Sequence, residues 1–281
     1  MRRGGRLLPG LLAAVACAAL SACAAPPAET APPSAAPETP APIAETAPIA
    51  SETPEIVRCV VIDPGHQRYG SAEQEPIGPG AAETKARVTG GTTGRYSGIP
   101  EYELNLQLGL QLRAILEARG YRVVMTRTDN DVDLSNAERA ALAAEAGGDV
   151  LVRIHANGSD DPAANGAMTI CMTPESPYNS ALYPQSYALA LSILDALTAR
   201  TGCRREPVWE TDSMSGINWS TIPVTIVEVG YMTNEREDLL LATDAYREQA
   251  ALGIADGIDQ YFAALSEEAA RGAAGQTGGG A

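Results

Sequence analysis

The chain has 281 residues, of which 45% are hydrophobic, and a formal net charge of -15. This size and apolar content suffice for one well-packed domain with tails. The acidic balance, without a visible basic stripe, excludes an ordinary nucleic-acid-binding protein and disfavours a highly anionic polymer as the direct ligand.

The first 22 residues have the pattern of a secretory signal peptide. Three arginines precede an apolar stretch that is short for a spanning helix. The stretch ends in Leu20-Ser21-Ala22-Cys23, which resembles a bacterial lipobox and implies a diacylglycerol on the Cys23 thiol. An ordinary cleavage site that contains a cysteine is the alternative. We expect a lipid anchor that holds the protein on the outer face of a bacterial cell membrane.

Two segments outside the predicted domain lack the composition of a folded core. Residues 23–55 are rich in Pro, Ala, Thr and Glu and predict a disordered tether that proline stiffens. Residues 266–281 are rich in Gly and Ala and predict a disordered tail. The folded domain is predicted over 56–265, a usual size for one domain.

Within this domain, apolar runs of strand length alternate with stretches of helical spacing. Strands are predicted at 58–65, 121–127, 149–157, 166–172 and 224–234, and helices at 100–120, 135–147, 185–202 and 245–265. This alternation predicts a single layered α/β domain with a mostly parallel central sheet flanked by helices. Ser135 and Glu138 predict a capping box, and 67–100 is predicted to be a long irregular connection.

The only two histidines follow two of the predicted strands. His66 ends the first strand and His155 ends the third, and ligands of open α/β sheets bind beyond such strand ends. The pattern favours a catalytic zinc, which takes three protein ligands. Without another histidine, the third ligand should be an acid, and Glu101, Glu103 and Asp63 are the candidates. Alternatively, Asp63 does not bind the metal and instead orients the side chain of His66.

Glu228 lies inside an otherwise apolar strand. A carboxylate at such a position is costly unless it is paired, coordinated or exposed at the strand end. It is either an edge residue or a general base beside a water activated by the metal.

Three cysteines fall within the domain, so at most one intramolecular bridge can form there. We expect a bond between Cys171 and Cys203, because Cys59 lies in a strand with a buried pattern. Three unpaired thiols are the alternative, since sequence alone does not fix the pairing.

Five stretches resemble, in order, the motifs of the zinc-dependent N-acetylmuramoyl-L-alanine amidases of bacterial cell walls: "VVIDPGHQ", "GIPEYELNLQLGLQL", "MTRTDNDVDLSNAERAALA", "VRIHANGS" and "SGINWSTIPVTIVEVGYMTNEREDLLL". The resemblance implies a fold like that of zinc exopeptidases and phosphorylase-hydrolases. It implies one zinc ion per chain held by His66, Glu101 and His155, with Glu228 as the catalytic glutamate. The implied reaction is hydrolysis of the amide between N-acetylmuramic acid and L-alanine in peptidoglycan.

Several polar residues near these motifs are candidates for substrate contacts. Asn157, Asn218 and Arg95 are proposed contacts. Lys85 and Arg87 lie in the loop before Glu101 and either contact carboxylates of the stem peptide or are solvated loop charges.

One position departs from the resemblance. Arg153 stands two residues before the second histidine, where many members carry Ser. It changes the electrostatics of the site without removing a ligand.

Two other functions remain open. A related zinc carboxypeptidase or aminopeptidase would use a similar ligand set. A non-catalytic wall-binding lipoprotein is disfavoured, because all four implied site residues are present. The sequence leaves open whether a protein activator is needed.

Overall fold

The computed structural model describes residues 57–277. The predicted signal peptide, Cys23 and the whole of the predicted tether lie outside the described residues.

Strands and helices alternate along most of the described chain. The strands are β1 (Cys59–Pro64), β2 (Ser71–Pro76), β3 (Thr84–Val88), β4 (Arg122–Met125), β5 (Val150–Asn157), β6 (Met168–Cys171), β7 (Trp209–Glu210) and β8 (Val224–Tyr231). The helices are α1 (Glu101–Ala118), α2 (Asn136–Glu145), α3 (Tyr183–Thr201), α4 (Ser215–Asn218), α5 (Glu235–Leu241) and α6 (Asp244–Thr277), with a short 3-10 turn at Ser180–Leu182.

Six strands form one sheet in the order β4-β1-β5-β8-β6-β7. Strands β4, β1, β5 and β8 are mutually parallel, and β6 alone pairs antiparallel with β8. The predicted α/β fold with a mostly parallel sheet is therefore confirmed. Strands β1, β5 and β8 are neighbours in its middle, so the carboxyl ends of these three strands meet at one edge.

Both faces of the sheet are covered by helices. Along β1, Val60 and Ile62 pack against α1, α3 and α6, whereas Cys59 and Val61 face the cluster that includes α2 and α4. This alternation is the period of two expected of a strand, and burial on both faces explains the continuous apolar run. The predicted capping box of α2 forms, with Ser135 and Glu138 each accepting from the backbone N–H of the other.

Two regions differ from the sequence prediction. Residues 67–100 are not wholly irregular, because β2 and β3 pair as an antiparallel hairpin. The composition of this stretch hid the strands, since β2 is mostly exposed and polar. The predicted tail at 266–281 is also helical as far as Thr277, where α6 continues on Ala- and Glu-rich sequence of good helix propensity.

The expected bond between Cys171 and Cys203 is absent. Cys59, Cys171 and Cys203 are all free thiols, the first two buried in the core. Pairing depends on the distance between Cα atoms, which the spacing in the sequence does not determine.

Among residues 57–277, no helix combines the length and the apolarity needed to cross a membrane.

Candidate metal centre

Three side chains converge at the carboxyl edge of the central strands. His66 follows β1, His155 lies near the end of the adjacent β5, and Glu101 is the first residue of α1. Each offers a ligand atom, and these atoms all lie within 4.8 Å of one another. Two imidazoles and one carboxylate on rigid elements form a donor set that suits a catalytic zinc.

The backbone before His66 is shaped by this convergence. A Cβ on Gly65 would lie 2.2 Å from two atoms of the His155 ring, so only glycine allows the ring to lie there. His66 itself has a φ of 60°, which is unfavourable for a residue with a side chain. The chain therefore accepts local strain where it aims the imidazole at the cluster.

Hydrogen bonding fixes the orientation of His66. Its Nδ1 lies 2.9 Å from the carbonyl oxygen of Thr89, which only accepts, so Nδ1 carries the proton. This leaves Nε2 facing Oε1 of Glu101 at 3.1 Å. When the imidazole is neutral, these two acceptor atoms repel unless they share a cation, which is the arrangement that a metal ligand requires.

Glu101 is held as a buried carboxylate. Its Oε2 accepts from the backbone N–H of Thr92 at 2.9 Å, and its Oε1 accepts from that of Ala156 at 3.2 Å. Burial alone would raise the pKa of Glu101, but the interactions with the nearby His155 and His66 outweigh it and hold that pKa well below its usual range. The group is therefore ionised and available to a cation.

The second histidine is neutral over the physiological range. Burial lowers the pKa of His155 to about 4, although the nearby Glu101 opposes the shift. Its Nδ1 lies 3.2 Å from Oε1 of Glu101. Since a metal binds the neutral imidazole, this environment fits a ligand.

Glu228 stands beside this cluster on β8. It pairs in register with His155 of β5, so both project from neighbouring strands at the same level. Its Oε2 is buried and has no hydrogen-bond partner among the described residues. Burial and, secondarily, the charge of Glu101 raise the pKa of Glu228 to about 8. A buried carboxyl oxygen without a partner fits a group that meets a metal, a water or a substrate.

The other two candidate ligands lie elsewhere. The carboxylate of Glu103 accepts from the side chain of Gln107, one turn along α1. Asp63 is buried and accepts from Arg139 and Arg153 at 2.7 Å each. These ion pairs overcome the effect of burial and hold the pKa of Asp63 well below its usual range. Asp63 therefore contacts the arginines behind the histidine and makes no hydrogen bond to His66.

One cavity of about 600 Å³ opens beside Glu228, the candidate catalytic residue. We call it the glutamate-side cavity, and it is defined by His66, Arg95, Glu101, His155, Asn157, Asp160, Glu228 and Thr233. It brings together the three ligands, Glu228 and two predicted substrate contacts, Arg95 and Asn157.

A second cavity of about 410 Å³ opens on the other side of the two histidines. We call it the arginine-side cavity, and it is defined by His66, Lys85, Thr89, Asn136, Arg153, His155, Ser213, Met214 and Gly216. Its outer wall is β3 of the hairpin, which the sequence did not predict.

The structure separates the remaining candidates. The side chain of Asn218 is buried, donates to the carbonyl oxygens of Ile77 and Asp212, and lines neither of these cavities. Arg87 pairs with Asp133 and Glu138, away from the ligands.

Comparison with known proteins identifies the class. The family model described as N-acetylmuramoyl-L-alanine amidase matches residues 60–260. The N-acetylmuramoyl-L-alanine amidase LytC of Bacillus subtilis is 30% identical over 75% of this chain, and the match covers 37% of LytC. The N-acetylmuramoyl-L-alanine amidase Rv3717 of Mycobacterium tuberculosis is 29% identical, with 73% of this chain and 86% of Rv3717 covered.

Solved structures agree. The amidase Ami1 of Mycobacterium smegmatis superposes with a TM-score of 0.67 at 29% identity, covering 74% of this chain and 97% of that one. An N-acetylmuramoyl-L-alanine amidase of Clostridium difficile 630 gives a TM-score of 0.60 at 26% identity, covering 73% and 97%.

The fold and the site thus define a hydrolase of the α/β class with a candidate metal site at the edge of its sheet. The chain belongs to the N-acetylmuramoyl-L-alanine amidase family, and its class is that of a peptidoglycan hydrolase.

Proposed function

We propose that this protein binds one zinc ion through His66, Glu101 and His155 and cleaves the amide between N-acetylmuramic acid and L-alanine of peptidoglycan. The observation that carries the proposal is the ligand cluster with the unpartnered, buried Oε2 of Glu228 beside it. This pairing suits amide hydrolysis, which needs both an electrophilic centre and a base within one site.

The ligands and the glutamate have separate roles in this mechanism. Zinc held there supplies polarisation of the scissile carbonyl and a lowered pKa for a water molecule. Glu228 takes the proton from the attacking water and passes it to the nitrogen of L-alanine as the amide bond breaks. Burial, which raises the pKa of Glu228, helps the carboxyl group to hold this proton between the two transfers.

The scaffold keeps these groups in place. Thr89 holds the His66 ring through Nδ1, and the backbone N–H groups of Thr92 and Ala156 hold Glu101. Such supporting contacts reduce the reorganisation that the reaction would otherwise need. Arg95 and Asn157, which line the glutamate-side cavity, are proposed to contact the substrate.

The test is release of peptides with a free L-alanine amino terminus from purified peptidoglycan. The zinc-loaded protein should release them, and Glu228→Gln should retain zinc and fail to release them. A protein that binds zinc and degrades free peptides instead would overturn the amidase proposal in favour of a zinc peptidase.

A cell-wall substrate requires an extracytoplasmic enzyme. We further propose that residues 1–22 are removed, that Cys23 is lipidated, and that 23–55 tether the catalytic domain. A fully extended linker of this length would reach roughly 100 Å, so the enzyme would act on wall above the membrane. Cys23→Ser should move the protein from the membrane fraction to the soluble fraction, and an unchanged distribution would contradict the anchor.

A further inference from the structure

The arginine-side cavity has the charge of a site for an anion. Among the described residues that define it, the charged side chains are Lys85 and Arg153, and none is Asp or Glu. The glutamate-side cavity differs, because the described residues that line it include three acidic side chains and one guanidinium, that of Arg95. The two sides of the ligand cluster therefore differ in the balance of acidic and basic groups.

Arg153 is a buried cation with one unused donor group. The residue is 3% exposed. Its Nε donates to Asp63 at 2.7 Å and its Nη2 donates to Asn136 at 2.8 Å. Its Nη1 makes no hydrogen bond with any described residue. A Cβ on Gly216 would lie 0.8 Å from Nη1, so this nitrogen occupies the space above the glycine in the cavity wall.

The charge behind Arg153 is not balanced. Among the described residues, Asp63 is the one carboxylate that pairs with Arg153, and it also pairs with Arg139. Arg127 is a third buried arginine nearby, and it donates to the carbonyl oxygens of Pro64 and Gly65 rather than to a carboxylate. Buried cations in excess over buried anions are costly, and an anionic ligand at the cavity would offset that cost.

Lys85 supplies the second cation at the cavity mouth. Its Nζ donates to the carbonyl oxygen of Ser213 at 2.9 Å, which spans the cavity from β3 to the segment before α4. Within the part of the chain that the structure describes, Lys85 forms no salt bridge, so its ammonium keeps donors for a ligand. Arg87, two residues along the same strand, is already paired with Asp133 and Glu138.

We infer that the arginine-side cavity binds a carboxylate of the stem peptide through Arg153 and Lys85 while the scissile amide lies over the zinc ligands. The cavity shares His66 and His155 with the glutamate-side cavity, so one substrate can occupy both. A carboxylate on the glutamate side would instead meet Glu101, Asp160 and Glu228. Arg153 thus determines specificity for free over amidated stem peptides.

The inference rests on the proposed amidase function for the identity of the peptide, but its test does not need catalysis. Two synthetic stem peptides that begin with L-alanine are compared, one with free carboxylates and one with every carboxylate converted to the carboxamide. Calorimetry with the zinc-loaded protein measures their affinities. We expect the free form to bind at least about tenfold more tightly, as charge-assisted hydrogen bonds typically provide.

Three variants test whether the preference for free carboxylates comes from the arginine-side cavity. Arg153→Gln and Gly216→Ala, whose new methyl group displaces Nη1, should reduce the ratio of affinities to near one. Lys85→Gln, at an exposed position, should reduce it partly. Arg87→Gln is the matched control, because it removes the same charge from the same strand and should leave the ratio unchanged.

The outcomes separate the two proposals. Equal binding of the two peptides by the wild-type protein overturns the inference whether or not peptidoglycan is cleaved. A preference that Lys85→Gln and Gly216→Ala leave intact also overturns it. A preference that these variants remove, in a protein that releases no L-alanine-terminated peptide, supports the cavity and overturns the amidase proposal alone.

Discussion

The two sides of the ligand cluster differ in charge and in the origin of their walls. The glutamate-side cavity is formed by the ends of β5 and β8 and the segment before α1, and carboxylates predominate in it. The arginine-side cavity is formed against the hairpin and the segment that leads into α4, and it holds two cations. A single pair of histidines therefore separates a side suited to proton transfer from a side suited to anion recognition.

The two cavities differ in charge because different elements of the fold supply their walls. The rigid strands fix the histidines, whereas the hairpin and one residue two positions before His155 set the charge of the neighbouring wall. The hairpin lies outside the sheet, where sequence varies at little cost to the core, whereas Arg153 lies in the central strand β5, two residues before the proposed ligand His155.

The largest effect should follow loss of the one acidic residue among the three proposed metal ligands. Glu101→Gln removes the anionic ligand, and we expect the zinc affinity to fall by more than about 100-fold and amidase activity to fall to background. Metal content after dialysis and peptide release measure the two effects. Glu103→Gln makes the same change two residues later on α1 and should alter neither. Retention of zinc by Glu101→Gln would contradict the ligand assignment.

The glutamate side is tested separately by Glu228→Gln. Because the residue is proposed to transfer protons without holding the metal, kcat should fall by about 10² to 10⁴ while zinc stoichiometry stays at the wild-type value. Steady-state kinetics on a muramoyl peptide and metal analysis give the two readouts. Equal loss of zinc and activity would instead make Glu228 a ligand.

On the arginine side, removal of the carboxylate that pairs with Arg153 should lower the stability of the fold. Asp63→Asn leaves Arg139 and Arg153 buried without their carboxylate, and we expect a loss of about 3–5 kcal/mol in the free energy of unfolding. Urea denaturation at pH 7 measures it. Asp133→Asn removes an exposed carboxylate from Arg87 and should cause no measurable change.

The difference in stability between the wild-type protein and Asp63→Asn should also depend on pH, in a direction that the pKa of Asp63 determines. The folded-state pKa of Asp63 lies well below its usual range because of the two arginines, which outweigh burial. Its contribution is therefore complete above the unfolded pKa of about 3.9 and is lost as the pH falls below that value. The stability gap between wild type and Asp63→Asn should be constant from pH 5 to 7 and shrink below pH 4. A gap that grows in acid would contradict the ion-pair explanation.

The smallest effect is expected from Asn136→Ala, which removes a hydrogen-bond partner of Arg153. Asn136 accepts from Arg153 Nη2 and donates to the carbonyl oxygen of Arg87, so it joins the guanidinium to the hairpin. Asn136→Ala should cost about 1 kcal/mol of stability and lower the preference for free carboxylates less than Arg153→Gln does. A larger loss of preference than in Arg153→Gln would show that Asn136, not Arg153, contacts the ligand.

The prediction of the site from sequence succeeded where the signal was local. An apolar run that ends in Asp-Pro-Gly-His and another that ends in His-Ala-Asn each predict a strand with a histidine at its end, and parallel order then requires the two to meet. The choice among Glu101, Glu103 and Asp63 was not local. It depends on the direction in which α1 enters the edge, and the residues alone left it open.

Three features that the sequence analysis predicted differently also depend on contacts between residues that are distant in the chain. The polar composition of 67–100 concealed a hairpin whose strands are stabilised by pairing with each other and by contacts with distant residues, such as the bond from Trp219 to the Pro76 carbonyl oxygen. The thiols of Cys171 and Cys203 are separate for a similar reason, because their distance depends on how β6 and the end of α3 pack. Asn218 was predicted as a substrate contact from its place in the motif, yet its buried amide instead joins α4 to the loop between the two strands of the hairpin.

By itself the sequence determined the α/β alternation, the capping box of α2 and the positions of the two histidines at strand ends, since periodicity and turn chemistry act over a few residues. Only the tertiary structure decided which carboxylate joins them, how Asp63 divides its charge between two arginines, and where Arg153 directs its unused Nη1. The contacts of Asp63, for example, join side chains 63 to 90 residues apart in the chain. Their contacts form only when the sheet order is complete, and no local pattern records them.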